Sequence, residues 1–269
     1  MNTLQRLVVR VGRGLGLYVL SRHDYKTLEE YKRLAKLLKR IAASGENARF
    51  KEFASARLVA SHSQSLQDLF ALFCHPNEPG FFVEFGASDG TSINNTLLME
   101  QDHGWSGIIS EPARVFHARI SSSRTCSIDF RCVSSRSGNV VTFAEDHNPD
   151  QSGIQDPLGQ THQPASARTA RMYDVETVSL EDLLTQYNAP KRINFLSIDT
   201  EGSEFDILSN FDFSSFAIDT LTVEHNFRPD REAIHELLTS KGFRRVEEDL
   251  SEQDDWYVSA DTFDSHWVE

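Results

Sequence analysis

Cysteine is scarce in this chain of 269 residues, which contains only Cys74, Cys126 and Cys132. An odd number of cysteines without a C-x-x-C pair argues against a disulfide framework, and it gives no readable zinc site. Such cysteine usage is more typical of a reducing compartment. We therefore expect a cytoplasmic protein.

Long apolar runs are also missing. The most apolar stretch, Leu4 to Leu20, is interrupted by Arg6, Arg10 and Arg13, so it is too short and too charged to span a bilayer. It also lacks the small-residue cleavage site of a secretory signal. Its arginines would suit a helix lying at the lipid headgroups. A poorly ordered leader, or a helix packed on a partner subunit, is the alternative interpretation.

Basic residues are few outside the N-terminal region. The net charge of −13 divides into +8 for residues 1–60 (13 Lys and Arg, 5 Asp and Glu) and −21 for the remainder (14 and 35). An acidic body argues against a nucleic-acid partner, whereas the basic segment suggests an anionic membrane surface or an acidic partner. We divide the chain into a basic helical extension, 1–60, and a main domain, 61–269. An amphipathic helix with a basic face is predicted from Tyr25 to Ala43.

The stretch Phe81 to Gly90, FFVEFGASDG, organises the main domain. Its apolar run predicts a strand buried on both faces, and Gly86 and Gly90 predict a turn with room for a ligand before the next helix. Glu84 lies inside the strand, where a carboxylate is costly unless it is paired. These features alone would fit any buried strand, turn and helix.

A second strand, from Trp105 to Ser110, ends at Glu111, about twenty residues after the glycine turn, where a carboxylate can bind the hydroxyls of a ribose. The two units together indicate a nucleoside-bearing cofactor. The lack of a third glycine in G-x-G-x-x-G spacing mildly disfavours a dinucleotide.

Strands and helices alternate along the rest of the main domain, which predicts a doubly wound, mostly parallel α/β sheet with ligands at the carboxyl ends of its strands. A polar segment, 147–172, is expected to be an active-site cover or an acceptor-binding loop, with disorder as the alternative. The other predicted helices are Ser61–Phe73, Asn94–Glu100, Ala113–Ser122, a helix capped by Ser179, Glu204–Leu208 and Arg231–Lys241. The other predicted strands are Ser127–Val133, Asn139–Glu145, an edge from Val175, Ile193–Asp199, Ala217–His225, Phe243–Val246 and Trp256–Val258.

The motifs of residues 61–258 resemble the FkbM family of S-adenosylmethionine-dependent methyltransferases. The segments that carry the resemblance are Ser63-Gln64 with Gln67-Asp68, VEFGASDG at 83–90, Asn95-Thr96 with Leu98 and Glu100, Gly104 to Gly107, Glu111-Pro112, Ser152-Gly153, Thr177-x-Ser179-Leu180 and Asp199-x-Glu201-Gly202-x-Glu204. Ile93-Asn94 and Leu98-Met99-Glu100 only approximate the family pattern. Residues 1–60 lie outside the resemblance.

The resemblance implies a class I methyltransferase fold, a seven-stranded sheet whose last strand is antiparallel. It also implies S-adenosylmethionine as the cofactor, with Glu84 and the glycine turn near the methionine part, Glu111 on the ribose, and Cys132 and Val133 beside the adenine. The cofactor-binding residues that follow from it are Gln64, Glu84, Gly86, Ala87, Asp89, Gly90, Asn95, Glu111, Pro112, Cys132, Val133 and Asp199.

The resemblance also suggests O-methylation of a sugar hydroxyl, and we expect the sugar to belong to a cell-surface glycan or its lipid-linked precursor at the inner face of the membrane. Removing the hydroxyl proton needs a base or a divalent metal. Asp199 and Glu201 end one strand, and Glu224 and His225 end the next, so all four are candidate ligands for Mg²⁺, Mn²⁺ or Ca²⁺. His225 is the candidate base or a ligand, and Asp199, Glu201 and Glu224 would position the metal or the sugar hydroxyls, which makes His225, Asp199 and Glu224 the candidate catalytic residues. A helix N-cap is the alternative for Asp199, and a purely structural histidine is the alternative for His225.

Other functions stay open at this point. The acceptor could be a natural-product scaffold, and the chain could be a non-catalytic module that binds glycan or protein, or a nicotinamide oxidoreductase. Self-association into a homo-oligomer is a further candidate property.

Overall fold

A computed structural model describes residues 22–77, 79–155 and 170–268 of the chain. Two β-sheets and the helices that cover them account for most of these residues. The helices are α1 (Arg22–Ala43), α2 (Ala48–Arg57), α3 (Gln67–Cys74), α4 (Leu97–His103), α5 (Arg114–Ser123), α6 (Leu180–Gln186), α7 (Glu204–Ser209), α8 (Arg231–Ser240), α9 (Glu248–Ser251) and α10 (Ala260–His266). The strands are β1 (Phe81–Phe85), β2 (Ser106–Ser110), β3 (Ser127–Asp129), β4 (Cys132–Ser134), β5 (Val140–Glu145), β6 (Gly153–Ile154), β7 (Arg171–Ser179), β8 (Arg192–Ile198), β9 (Ala217–Glu224), β10 (Arg244–Val246) and β11 (Asp254–Val258).

The main sheet has seven strands in the order β10-β11-β9-β8-β1-β2-β3. Strands β3, β2, β1, β8 and β9 run parallel to one another, whereas β11 runs antiparallel to both β9 and β10. Phe82, Val83 and Phe85 of the central strand are buried, as predicted for a strand covered on both faces. This parallel-rich α/β sheet brings the carboxyl ends of β1, β2, β8 and β9 to one edge.

A second sheet, in the order β4-β7-β5-β6, stands beside that edge. The predicted strand Ser127–Val133 is wrong in one respect, because it divides into β3 of the main sheet and β4 of the second sheet. Asp129 explains the break: its carboxylate accepts hydrogen bonds from the backbone N–H and the guanidinium of Arg131, which closes a turn. The predicted strand at Asn139–Glu145 is confirmed as β5.

The polar segment 147–172 contributes a short 3₁₀ helix, Pro149–Gln151, together with β6 and the start of β7. The short strand β6 pairs antiparallel with β5. The predicted cover also includes residues 156–169, which lie outside the described residues.

Two predicted helices begin too early in the sequence. The run Ser61 to Leu66 is a loop, because the Asp68 carboxylate accepts hydrogen bonds from the hydroxyls of Ser61 and Ser63, and α3 starts only at Gln67. Likewise, the Asn94 side chain accepts the backbone N–H of Leu97, so that α4 starts there. Polar side chains that bind nearby backbone or hydroxyl groups compete with helix formation.

The predicted cap of α6 is confirmed. Ser179 precedes the helix, and its hydroxyl accepts the backbone N–H of Asp182 at 3.1 Å. This hydrogen bond satisfies one of the helix's otherwise unpaired N–H groups.

The N-terminal helices share one core with the main sheet. The amphipathic helix predicted at Tyr25–Ala43 is confirmed as α1, and its Leu37 is buried together with Phe50 of α2. Phe50 contacts Trp256 of β11 edge to face, and Phe70 of α3 stacks on the same indole at 4.8 Å between ring centroids. The predicted domain boundary at residue 60 therefore crosses a continuous core. The predicted interfacial helix at Leu4–Leu20 lies outside the described residues.

All three cysteines are free thiols. Burial raises the pKa of Cys132 to about 12 and also raises the pKa of Cys126, so both thiols are protonated at neutral pH.

Within residues 22–77, 79–155 and 170–268, no helix has the length and apolar character that crossing a bilayer requires.

Candidate functional site

A cleft of about 600 Å³ opens where the carboxyl ends of β1, β2, β8 and β9 meet the second sheet. Most of the predicted cofactor-binding residues line it: Gln64, Gly86, Asp89, Glu111, Pro112, Cys132, Val133 and Asp199. Four others do not line it: Glu84, Ala87, Gly90 and Asn95. Of the predicted metal ligands, Asp199, Glu201 and Glu224 line the cleft and His225 does not.

The turn after β1 forms the floor of the cleft. Gly86 has a φ of +74°, which glycine adopts without strain, and its N–H donates to the carbonyl of Ser110 at 3.0 Å. Asp89 closes the turn by accepting the backbone N–H groups of Thr91 and Ser92. Burial alone would raise the pKa of Asp89, but the hydrogen bonds from Ser92 and Thr91 bring it below its usual value. Asp89 is therefore a fixed negative charge at the cleft.

Glu84 is held behind this turn. Its carboxylate accepts the Asn94 amide at 3.0 Å, the Asn95 backbone N–H at 2.9 Å and the Thr96 hydroxyl at 2.6 Å. Burial raises the pKa of Glu84, although Arg124 and these hydrogen bonds oppose the shift. Because its oxygens are engaged in the turn and it does not line the cleft, Glu84 organises the segment between β1 and α4.

Arg124 is a site-supporting residue that the sequence analysis did not identify. Its side chain is fully buried, with one nitrogen 2.6 Å from Glu100 and another 3.8 Å from Glu84. The same guanidinium donates to the Asn94 side chain and to the Thr96 hydroxyl. No spacing in the sequence connects an arginine after α5 to a glutamate in β1, so only the tertiary structure reveals the pair.

Glu111 directly follows β2 and lies at the wall of the cleft. One carboxylate oxygen accepts the backbone N–H of Ser88 at 2.8 Å, and the other accepts that of Ala113 at 2.8 Å. Two backbone donors therefore fix the orientation of the carboxylate. The apolar part of the wall comes from the second sheet and from α5; its members are Phe116, Cys132, Val133, Phe143 and Ile154.

Asp199, Glu201 and Glu224 form an acidic cluster. One carboxylate oxygen of each lies within 4.8 Å of the others. Burial raises the pKa of all three, and Asp199 is raised further by Glu224 and Glu201. Close carboxylates cannot all ionise at little cost, so this cluster can accept a proton near neutral pH or bind a hard cation.

The acidic turn after β8 is shaped by Glu204. Its buried carboxylate accepts the backbone N–H groups of Thr200 and Gly202 and pairs with Arg228 at 3.2 Å. Ser203 precedes α7 at the N-cap position, so the alternative of Asp199 as a helix cap is wrong.

His225 does not join the acidic cluster, which corrects its prediction as a fourth ligand and as a base in the cleft. Its Nδ1 accepts the backbone N–H of Phe227 at 2.9 Å, and its Nε2 lies 3.7 Å from an oxygen of Asp255. Consecutive residues at a strand end point to opposite sides, so Glu224 and His225 cannot both face the cleft. Burial lowers the pKa of His225 despite the nearby Asp255. These contacts fit the alternative interpretation, in which His225 is a purely structural histidine.

Asn226 and Gln253 are among the amide side chains that line the cleft, and neither was predicted from the sequence. Gln253 accepts a hydrogen bond from the Gln64 amide at 2.9 Å, and its backbone carbonyl accepts the N–H groups of His225 and Asn226. Asn226 has a φ of +43° and lines the cleft together with Gln253. We call Gln64, Asn226 and Gln253 the amide lip. Amides are common in turns, so their sequence positions carried no signal.

Comparisons with known proteins agree with the family resemblance. Residues 84–245 match the methyltransferase FkbM domain. No curated protein matches the sequence. One similar solved structure is the precorrin-6y C5,15-methyltransferase of Geobacter metallireducens GS-15, with 9% identity, 68% of this chain and 73% of that chain covered, and a TM-score of 0.35. A similarity this low carries no argument about the reaction.

Proposed function

The chain belongs to the FkbM methyltransferase family, and we propose that it transfers a methyl group from S-adenosylmethionine to a hydroxyl oxygen. One observation carries the proposal: the glycine turn after β1 is in direct contact with the acidic cluster. A Cβ atom on Gly86 would stand 2.0 Å from the backbone oxygen of Asp199. A cofactor on that turn would therefore present its methyl group beside carboxylates that can take the proton of a hydroxyl.

The residues of the cleft fit this cofactor. The strand order, with an antiparallel β11 inserted between β9 and β10, supports a class I methyltransferase fold. Glu111 is oriented to bind ribose hydroxyls, and the apolar wall around Cys132 and Val133 suits an adenine ring. The cleft volume, about 600 Å³, lies in the usual range for small-ligand sites.

When bound, the sulfonium supplies an already activated methyl group, so the protein needs only to align the acceptor and remove its proton. Burial, Glu224 and Glu201 raise the pKa of Asp199, and burial and Glu201 raise the pKa of Glu224 to about 8, which makes these carboxylates better proton acceptors near neutral pH. The same two residues with Glu201 would hold Mg²⁺, Mn²⁺ or Ca²⁺ if a cation acidifies the hydroxyl instead, since all three supply oxygen ligands.

A sugar is the acceptor that we propose, in a cell-surface glycan or its lipid-linked precursor. The amide lip and the hydroxyl of Ser152 supply both donors and acceptors at the cleft, which is the chemistry that recognises a polyhydroxylated ligand. A lipid-linked sugar would also place the reaction at the inner face of the membrane, where the basic N-terminal region would be useful.

The test is a methyl-transfer assay with the full chain, S-adenosylmethionine and a panel of lipid-linked and nucleotide sugars, followed by mass spectrometry. We expect S-adenosylhomocysteine and a sugar carrying one additional methyl on oxygen. Asp199→Asn should reduce turnover at least about a hundredfold, whereas Asp206→Asn, an exposed acid of α7, should not. A methyl group on nitrogen or carbon, or unchanged turnover of Asp199→Asn, would contradict the proposal.

EDTA separates proton removal by the carboxylates from acidification of the hydroxyl by a cation, because activity that persists in EDTA assigns proton removal to the carboxylates alone.

A further inference from the structure

Helix α1 has an apolar stripe on the face that turns away from the core. Leu28, Tyr31 and Leu38 are 41%, 67% and 49% exposed, and Ala35 between them is also exposed. The spacing of three, four and three residues aligns these side chains along one side of the helix. We call them the outer stripe. Large apolar side chains exposed in a row, rather than singly, mark a contact surface.

Exposed bases outnumber exposed acids around the outer stripe, with Lys32, Lys36 and Lys39 against Glu29 and Glu30. Lys32 and Lys39 lie one position after Tyr31 and Leu38, and Lys32 pairs with Glu29 at 2.8 Å. The first 21 residues of the sequence add Arg6, Arg10 and Arg13 and contain no acid. Residues 1–60 carry a net charge of +8 and residues 61–269 carry −21. An anionic surface would therefore attract this end of the protein and repel the remainder, which fixes an orientation.

We infer that the outer stripe docks on an anionic membrane, with its apolar side chains at the acyl boundary and the lysines at the headgroups. Amphipathic helices with basic flanks bind membranes in this way, and Tyr31 has the mixed apolar and polar character that favours the interface. A second copy of the chain is the less suitable occupant, because two N-terminal segments that each carry a net charge of +8 over residues 1–60 would repel each other.

The opposite face of the same helix binds two segments that lead to the mouth of the cleft. Arg33 donates to the backbone carbonyls of Ser61 and Ser63, and Arg40 pairs with Glu252 at 3.0 Å. These contacts flank Gln64 and Gln253, which hydrogen-bond to each other in the amide lip. The outer stripe and these arginine contacts thus lie on opposite faces of a helix that is roughly 10 Å across. Docking would bring the cleft to a headgroup-linked substrate, a consequence that rests on the proposed function, whereas docking itself does not.

The test is co-sedimentation of the full-length protein with vesicles of phosphatidylcholine alone or mixed with phosphatidylglycerol. We expect binding only to the mixed vesicles and a decrease as salt is added. The triple variant Leu28→Ser/Tyr31→Ser/Leu38→Ser should bind at least about tenfold more weakly, since its apolar contacts are lost. Lys32→Gln/Lys39→Gln should lose about tenfold or more through charge alone. Val59→Ser is the matched control, because Val59 is 83% exposed but follows α2, and it should bind normally.

Equal binding of the wild type and the triple variant would overturn the inference, and so would equal binding to both kinds of vesicle. Light scattering after size exclusion tests the other occupant, a second copy of the chain. A dimeric wild type and a monomeric triple variant, with no vesicle binding by either, would assign the stripe to self-association. Circular dichroism shows whether the triple variant is folded. If the triple variant is unfolded, the Lys32→Gln/Lys39→Gln variant still tests whether the outer stripe and its lysines bind the vesicles. Vesicle binding requires no methyl transfer, so its failure and the failure of the proposed reaction are separate results.

Discussion

The backbone oxygen of Asp199 occupies the space beside Gly86 that a side chain would need, 2.0 Å from the position of a Cβ atom. The turn after β1 and the acidic end of β8 are therefore packed against each other through the backbone. This contact explains how two segments more than a hundred residues apart in the sequence form one site.

Gly86→Ala should disrupt this contact. The alanine would have to adopt a φ of +74° and displace a backbone oxygen, so we expect a loss of about 3 kcal/mol or more in the free energy of unfolding, and loss of S-adenosylhomocysteine binding. Urea denaturation and calorimetry measure the two effects. Gly138→Ala is the control, since Gly138 has a φ of +77° but no atom within 4 Å of its added Cβ. It should lose only about 1 kcal/mol. Equal losses would show that the contact with Asp199 is unimportant.

Phe50→Ala should test whether α1 and α2 belong to the core. Phe50 is fully buried and contacts Phe70, Phe73 and Trp256. Removing such a ring costs about 3–5 kcal/mol, because a cavity remains. Urea denaturation of the full chain measures the loss, and Val59→Ala, at an exposed position, should change stability by less than about 0.5 kcal/mol. A similarly small effect for Phe50→Ala would mean that the N-terminal helices contribute little to the main core.

Glu247 should make stability depend on pH. Burial and the nearby Glu46 raise the pKa of Glu247 from 4.5 to about 7, although Trp267 donates a hydrogen bond to it. The native state keeps a proton that the unfolded chain releases, so the free energy of unfolding falls as the pH rises from about 4.5 to about 7. Glu247→Gln removes this decrease and should be more stable than the wild type by about 1–3 kcal/mol above pH 7.

Thermal or urea unfolding across this pH range measures the difference between Glu247→Gln and the wild type. The two proteins should be equally stable at about pH 4, where both carry a neutral side chain at this position. A variant that is less stable than the wild type at every pH would contradict the prediction.

The local features of the fold were predictable from the sequence. A continuous apolar run followed by glycine specifies β1 and its turn, and the carboxylate at Glu111 follows from the length of one strand-helix-strand unit. The cap of α6 is likewise a short-range signal, since Ser179 and Asp182 are three residues apart. Each of these depends on neighbours in the sequence.

The features that were missed depend on tertiary contacts. The pair of Glu84 and Arg124 joins β1 to the end of α5, and the hydrogen bond between Gln64 and Gln253 joins residues 189 positions apart. The position of His225 depends on the side of the sheet to which its side chain points after β9. The order of residues at the strand ends does not show that direction. Residue type indicates which chemistry is available, but side-chain direction decides where it acts.

Calorimetric titration with S-adenosylhomocysteine is the decisive measurement, because it detects cofactor binding without an acceptor. We expect saturable binding at micromolar affinity by the wild type, weakened at least about tenfold in Glu111→Ala because that carboxylate would bind the ribose. Asp102→Ala, an exposed acid of α4, should bind normally. A folded wild-type protein that does not bind S-adenosylhomocysteine would contradict the account and favour a non-catalytic module.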